Sequence, residues 1–381
     1  MKRWCYARNL CASREKLHFV LPYTAKFMSP LFVPGSRAPP FDPREFRIND
    51  TSINVISEPL ESYANMTLYG VSRFYNSRML WHCVMDSLYP TYWTMTTYTG
   101  HIMDADWTHK SNPNYGRYID KNNDIMVMDN FGGTDLYFLR ALSDNPIIQW
   151  REWKSQKCYR NAVLGIRKTD EKASDDNALR RDGLIVKYHI DKDGVRGLRK
   201  HMLEWAETSV ENCEPSGQKP LVLVVGRKPR TENDLKRKII NFDDLFNATR
   251  ELCPDCDVQT IDFQKYDKKG QLRFTCNVSA IIGVHGSGLI HGAWMRPSTE
   301  AHPTAIVEIF PYKYTCRDWY YQQTQINGQE YYPIYTLHLN QSRWDKHNNP
   351  EKVERCHTLE DECLRNRCHN FLRDQSMIIM D

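Results

Sequence analysis

Residues 278–297 read VSAIIGVHGSGLIHGAWMRP. An apolar run meets a glycine-rich break and then becomes apolar again. The stretch holds four glycines, Gly283, Gly286, Gly288 and Gly292, and two histidines, His285 and His291. A strand ending at Val284, a glycine loop and a helix from Ser287 to Met295 form an anion-binding arrangement. Glycines let the backbone approach closely, and the first helical turn points its N–H groups and its positive dipole end at the guest. A diphosphate suits such a loop.

The flanking sequence sets this unit in a larger pattern. LVLVVG (221–226), DVQTIDF (257–263) and TAIVEIF (304–310) read as strands. Between them, Asn241 is placed to cap a helix running through Leu252, with Asp243 and Asp244 in its first turn. GQLRFTC is a shorter helix candidate. Strand alternating with helix predicts a parallel, doubly wound sheet, whose ligands bind at the carboxyl ends of the strands. The first half is less regular. SINVIS (52–57), TLYGVSRFY (67–75), DIMVMD (124–129) and NAVLGI (161–166) are strand candidates. A helix is expected from Ser77 to about Tyr89, stopped by Pro90, and an amphipathic one over 194–208. The polar stretch ENCEPSGQKP (211–220) reads as a linker. The expected layout is α/β, with a first lobe over 1–212, a parallel-sheet lobe over 220–335 that binds ligand at the loop, and a polar tail, 336–381, packing back on the first lobe.

The bulk numbers agree with two globular lobes. The chain has 381 residues, 41% hydrophobic and 26% charged, with a net charge of +4. The two signs are mixed and no basic stripe stands out, which argues against nucleic acid as a partner. Twelve cysteines are scattered mostly singly. One CxxC, Cys253–Cys256, lacks the second pair that a zinc ribbon needs, so disulfides are the favoured reading. Five N-x-[ST] sequons begin at Asn49, Asn65, Asn247, Asn277 and Asn340, a modest excess over chance. Together these point to an oxidising lumen. The N-terminus has no apolar leader core, and no run of about 18 apolar residues occurs. The expectation is therefore a luminal protein of the endoplasmic reticulum or Golgi whose N-terminal membrane anchor is absent from this chain.

Two more residues extend the loop into a candidate site. Glu308 ends the strand after the loop, where a carboxylate can accept both hydroxyls of a ribose. Arg227 follows LVLVVG at the same edge, where a guanidinium can grip a phosphate. Competing motifs fail on their spacing. A nucleophile elbow needs G-x-S-x-G, but His285 and Leu289 hold the outer glycine positions. A nicotinamide loop needs G-x-G-x-x-G, but His291 stands at the third glycine. The DxD pairs Asp104/Asp106, Asp191/Asp193 and Asp255/Asp257 arise by chance at this aspartate content, so no metal or other cofactor is expected.

His285-Gly-Ser-Gly-Leu289 with Val307-Glu-Ile-Phe-Pro311 resembles the signature of glycosyltransferase family 61. Gln271 resembles the glutamine that precedes the family's loop, Arg227 with Asn241 its R…N pairing, and Arg8–Cys11 and Trp81–Asp86 weaker features. Ser287 replaces a small apolar residue, and the loop Ser298–Pro303 replaces a tight turn. The family includes plant xylosyl- and arabinosyltransferases and animal N-acetylglucosaminyltransferases of the endoplasmic reticulum. The resemblance implies a GT-B fold of two facing Rossmann-like lobes with parallel sheets, and inverting transfer without a metal.

Inversion needs a base for the acceptor hydroxyl. His82 and Asp86 lie four apart, on one face of the expected helix, and a carboxylate beside an imidazole raises its basicity. They are the candidate catalytic pair, with Trp81 stacking on an acceptor sugar. Arg227, His285, Gly286, Ser287, Gly288, Leu289 and Glu308 are the candidate donor site. The expected reaction moves xylose or N-acetylglucosamine from a UDP-sugar to a hydroxyl of a glycan or glycoprotein. The alternatives are a non-catalytic nucleotide- or carbohydrate-binding protein of the same fold, and a nicotinamide-dependent oxidoreductase.

Overall fold

A computed structural model describes residues 4–13, 16–19, 64–71, 79–97, 119–128, 135–150, 152–165, 192–214, 219–226, 236–314, 319–338, 340, 342–343, 351, 355–356 and 368–379. The candidates Arg227, Asn49 and SINVIS (52–57) lie outside these residues, as does the side chain of Asp86. The chain divides into two compact units, Met1–Asp176 with Lys187–His201, and Asn177–Val186 with Met202–Asp381. The last of the three crossings between them falls inside the helix Lys192–Trp205, upstream of the polar stretch expected to be the linker. In that stretch Glu211–Cys213 is a 3-10 turn, and Cys213 is bonded to Cys276.

The first unit is built on a six-stranded sheet in the order β2-β1-β6-β3-β4-β5. Its strands are β1 (Trp4–Ser13), β2 (Lys16–Phe19), β3 (Ala64–Val71), β4 (Asp124–Val127), β5 (Ile148–Gln149) and β6 (Lys157–Gly165). β3, β4, β5 and β6 run parallel, but β1 is antiparallel to both β2 and β6. The sheet is therefore mixed, where wholly parallel sheets were expected. The antiparallel hairpin is held to the sheet by a disulfide between Cys11 and Cys158, which are directly opposed in register.

The expected helix before Pro90 is longer than the sequence suggested. It begins as α1 (Leu80–Cys83), widens into a π-helical segment (Val84–Leu88), and continues as α2 (Tyr89–Thr97). Pro90 has no N–H to give to a carbonyl of the preceding turn. The widened turn before it relieves that clash, so the proline sits in the first turn of α2 instead of ending the helix. Trp81, Cys83, Val84, Met85, Leu88, Tyr89, Tyr92, Trp93 and Met95 are all buried. A helix apolar all round is a core helix.

The second unit carries a wholly parallel five-stranded sheet in the order β11-β10-β9-β7-β8. Its strands are β7 (Leu221–Val225), β8 (Asp257–Ile261), β9 (Ala280–Val284), β10 (Ala305–Phe310) and β11 (Glu330–Tyr335). Strand order reverses between β7 and β9, so the crevice at their carboxyl ends is the topological switch point, where open sheets of this kind bind ligands. The loop quoted first leaves β9 at that point.

The last segment is assigned to the second unit. β12 (Ser342–Arg343) pairs with β13 (Ser376–Met377), and Met377 bridges Ile239. Phe371 and Leu372 join Phe310 and Tyr314 in one apolar cluster with the disulfide Cys356–Cys368. Cys253 and Cys256, the CxxC pair, are also bonded to each other. Asn65, Asn247, Asn277 and Asn340 are all solvent-exposed.

Candidate functional site

The glycine loop folds as the sequence suggested, with one difference. Ser287–Trp294 is a 3-10 helix rather than an α-helix, entered from Gly286. Leu289 N–H donates to Gly286 O at 3.1 Å. The N–H groups of the first residues have no carbonyl within such a helix to receive them, which is what an anion site requires.

The four glycines do different work. A Cβ on Gly283 would lie 3.1 Å from Val225 Cβ and 3.3 Å from Leu289, and one on Gly292 would run into the Ile306 side chain. These two let the helix settle on the sheet. A Cβ on Gly286 would instead meet a guanidinium, 3.3 Å from Arg237 Nη1. Gly288 packs over Val225, and the Leu289 side chain is buried. Gly286, Ser287 and Gly288 are half-buried and form the open part of the loop.

His285 leaves β9 with its N–H still donating to Ile309 O of β10 at 2.9 Å. Its ring is buried, and Nδ1 lies 2.5 Å from Glu308 Oε1. Tyr331 of β11 donates its hydroxyl to the other carboxylate oxygen, Oε2, at 2.5 Å. A carboxylate flanked this way only accepts, so Nδ1 carries the proton and Nε2 is turned toward Tyr314 OH, 3.5 Å away. Phe310, Tyr314, Trp319 and Tyr320 surround the ring at centroid distances of 5.0–5.8 Å. Glu308 was expected at a strand end, facing a ribose. It lies within β10, wholly buried, and its oxygens are taken up by His285 and Tyr331.

Tyr320 closes the other side. Its hydroxyl donates to Gly286 O at 2.5 Å. Burial, reinforced by the Glu308 charge, raises its pKa well above the ordinary tyrosine value. The hydroxyl therefore stays a donor, and the carbonyl it holds fixes the loop's entry.

Arg237 is the residue that sequence reasoning missed. It lies in the connection from β7 to the helix Phe242–Leu252, so it reaches the switch point from the neighbouring strand. Its Nε sits 3.6 Å from Asp374 Oδ1, and its side chain is 14% exposed. Only its place in the basic run Lys236–Lys238 hinted at it.

The second histidine of the loop has another character. His291 is wholly buried and lies against Phe263, centroids 3.9 Å apart. Both ring nitrogens lack a hydrogen-bond partner. Burial, with Lys268 nearby, pushes its pKa down to about 3, so it is a neutral core ring. Gln271 is structural as well. Its Nε2 donates to Phe263 O at 2.8 Å and Tyr266 O at 3.0 Å, tying the turn after β8. Asn241 stands at the N-cap position, but its amide pairs with the backbone of Ile379 instead of capping the helix.

In the first unit, Trp81 and His82 lie on α1 and both are buried, with their rings in edge contact at 5.2 Å. Asp86 follows within the π-helical segment, so the spacing between His82 and Asp86 is not that of a regular α-helix. Among the described residues no cluster of three or more His, Cys, Asp or Glu side chains is placed to hold a metal ion.

Compared with known proteins, the sequence profile of the family described as Glycosyltransferase 61 matches residues 80–301, more than half of the chain. Part of the chain is similar to the EGF domain-specific O-linked N-acetylglucosamine transferase of Mus musculus, 29% identical over 161 residues, 40% of this chain and 27% of that protein. A shorter part is similar to the protein of the same name from Bos taurus, 36% identical over 99 residues, 25% of this chain and 17% of that protein. The similarity thus spans about a quarter or less of the length of these curated relatives.

Proposed function

Since this chain belongs to glycosyltransferase family 61, we propose that it is an inverting glycosyltransferase of GT-B type, using a UDP-sugar and no metal. The donor is UDP-N-acetylglucosamine in preference to UDP-xylose, because the relatives carry N-acetylglucosamine in their names. The acceptor is a protein or glycan hydroxyl, and an EGF domain, named for those relatives, is the first to try.

One observation carries this reading. At the switch point of the parallel sheet, the Arg237 guanidinium overlies Gly286, beside a His285 fixed by Glu308. The diphosphate of the donor lies against Gly286, Ser287 and Gly288, receiving their N–H groups and the Nη face of Arg237. Arg227, which follows β7 in the sequence, is the second cation assigned to the diphosphate in this reading. As the acceptor oxygen attacks the anomeric carbon, the bond from that carbon to the diphosphate oxygen breaks and negative charge gathers on the leaving UDP. Fixed donors aimed at that charge stabilise the transition state. His285 Nε2 supplies a further contact to phosphate or donor sugar, in an orientation that Glu308 and Tyr331 hold before substrate arrives. Glu308 acts through His285 in this reading, rather than on the ribose.

The acceptor's proton goes to Asp86 or His82. A π-helical turn at that point favours the assignment, since such turns recur at functional sites. Trp81 lines the acceptor side.

Thermal denaturation in EDTA with UDP, GDP or NAD tests the donor site. Saturation at a hundred times the dissociation constant adds about 2.7 kcal/mol of stability, so UDP alone should raise the melting temperature by a few degrees. Release of UDP from UDP-N-acetylglucosamine then tests catalysis. Binding without any turnover on a panel of acceptors would mark a non-catalytic binding protein, and a shift with NAD alone an oxidoreductase.

A further inference from the structure

Arg237 holds its place at a cost, and the residues that keep it there come from the far end of the chain. Its φ is 55°, in the left-handed region that a residue with a Cβ avoids. Strained positions persist where neighbours over-determine them. Here those neighbours are residues 374–379. Arg237 N–H donates to Gln375 O at 3.2 Å, Met377 N–H to Lys238 O at 2.9 Å, and Ile240 N–H to Met377 O at 2.8 Å. Lys238 N–H donates to Ser376 Oγ at 3.2 Å. The Asn241 amide completes the seam, donating to Ile379 O at 2.5 Å and accepting from Ile379 N–H at 2.9 Å.

The side chain is governed from the same segment. Asp374 Oδ1 lies 3.6 Å from Arg237 Nε. The same carboxylate accepts from Arg373, Nε to Oδ1 at 2.9 Å and Nη2 to Oδ2 at 3.2 Å, which fixes its plane. Gln375, wholly buried, anchors the segment by donating to Tyr312 O at 2.9 Å and Leu372 O at 2.8 Å. A guanidinium whose Nε edge faces a carboxylate keeps Nη2 on that edge and turns Nη1 away from it. Turned this way, Nη1 meets Gly286.

We infer that Asp374 is a positioning residue for the diphosphate of the nucleotide sugar. It sets the Arg237 guanidinium over the glycine loop, and the segment 374–379 is the strap that carries it there. The inference rests on the reading of Arg237 as a phosphate-binding group. It goes further in making donor affinity depend on a carboxylate that itself repels phosphate and touches none.

A double-mutant cycle on UDP affinity, read by calorimetry on the full chain, tests it. Arg237→Ala should weaken UDP binding on the order of 10–100-fold, the worth of one charge-assisted contact. Asp374→Asn should weaken it on the order of 10-fold in the wild-type background and leave it unchanged in the Arg237→Ala background. Coupling of this kind shows that one residue works through the other. Asp374→Glu should recover most of the affinity, and melting temperatures read alongside separate positioning from loss of fold. Equal effects of Asp374→Asn in both backgrounds, or no effect in either, would overturn the inference while leaving the donor site intact. Failure of the wild-type chain to bind UDP would overturn the parent reading and this one with it.

Discussion

His285 at the exit of β9 and Glu308 inside β10 meet at 2.5 Å between Nδ1 and Oε1, both buried. The contact joins the adjacent strands β9 and β10, one strand over from the reversal of order between β7 and β9. Removing Glu308 leaves the buried His285 Nδ1–H without its acceptor, which costs about 1–3 kcal/mol. Glu308→Ala should therefore lower the melting temperature strongly. Glu308→Gln keeps the shape and one acceptor oxygen for His285, with its amide placed to donate to the Tyr331 oxygen, so it should unfold closer to wild type while transfer falls. Equal melting points for Glu308→Ala and wild type would contradict the pairing.

Two glycines of the loop should separate binding from stability. Gly286 has φ 171°, extended backbone that any residue adopts. Gly286→Ala should melt within about 0.5 kcal/mol of wild type, yet displace the Arg237 guanidinium and weaken UDP. Gly292→Ala meets the Ile306 side chain, an overpacking worth about 1–3 kcal/mol. Denaturant titration and calorimetry on both variants check the contrast. A loss of stability in Gly286→Ala to match Gly292→Ala would mean that the loop's openings serve packing alone.

Acid should destabilise the fold through two histidines. His291 is pushed down to about 3 by burial and Lys268, and His201 to about 4 by burial with Lys121 and Lys200. Both take up a proton near pH 6.5 when unfolded but not when folded. Their contribution is thus complete above pH 6.5 and is lost as pH falls toward the folded values. Each group should remove about 2 kcal/mol between pH 6.5 and 5. His291→Phe, which keeps a ring against Phe263, should flatten that limb of the melting curve. An unchanged slope in the variant would mean the ring finds a proton acceptor when charged.

Cys213–Cys276 closes a sequence separation of 63, a constraint worth about 4 kcal/mol against the unfolded chain. The paired serine variant should melt lower by that order under oxidising conditions. Reducing agent should shift the wild type and leave this pair's contribution absent in the variant.

The parallel sheet of the second unit was legible because strands buried on both faces read as apolar runs, LVLVV and AIVEIF among them. β1 and β2 were not, since Arg8, Asn9 and Lys16 interrupt any such run. β11 was hidden by Pro333, which an edge strand tolerates because one side of its backbone has no partner. In the loop, the glycines and His285 announced themselves by type and spacing. Arg237 did not, because its place is set by contacts with Asp374 and Gln375, and no local pattern encodes a partner so far along the chain. Glu308 was found by position, but its company was not. That Tyr331 and His285 would take its two oxygens depends on the register of β10 with β11 and β9.

The π-helical segment Val84–Leu88 acts as a phase shift in a rod. Each residue of an α-helix turns the face by about 100°, so one residue more or fewer in that turn would rotate everything after it relative to everything before. Trp81 and His82 lie on one side of that joint, Tyr92 and Trp93 on the other. A single deletion between Val84 and Leu88 should keep the helix and misalign its two ends, carrying large aromatic side chains out of the packing they now fill.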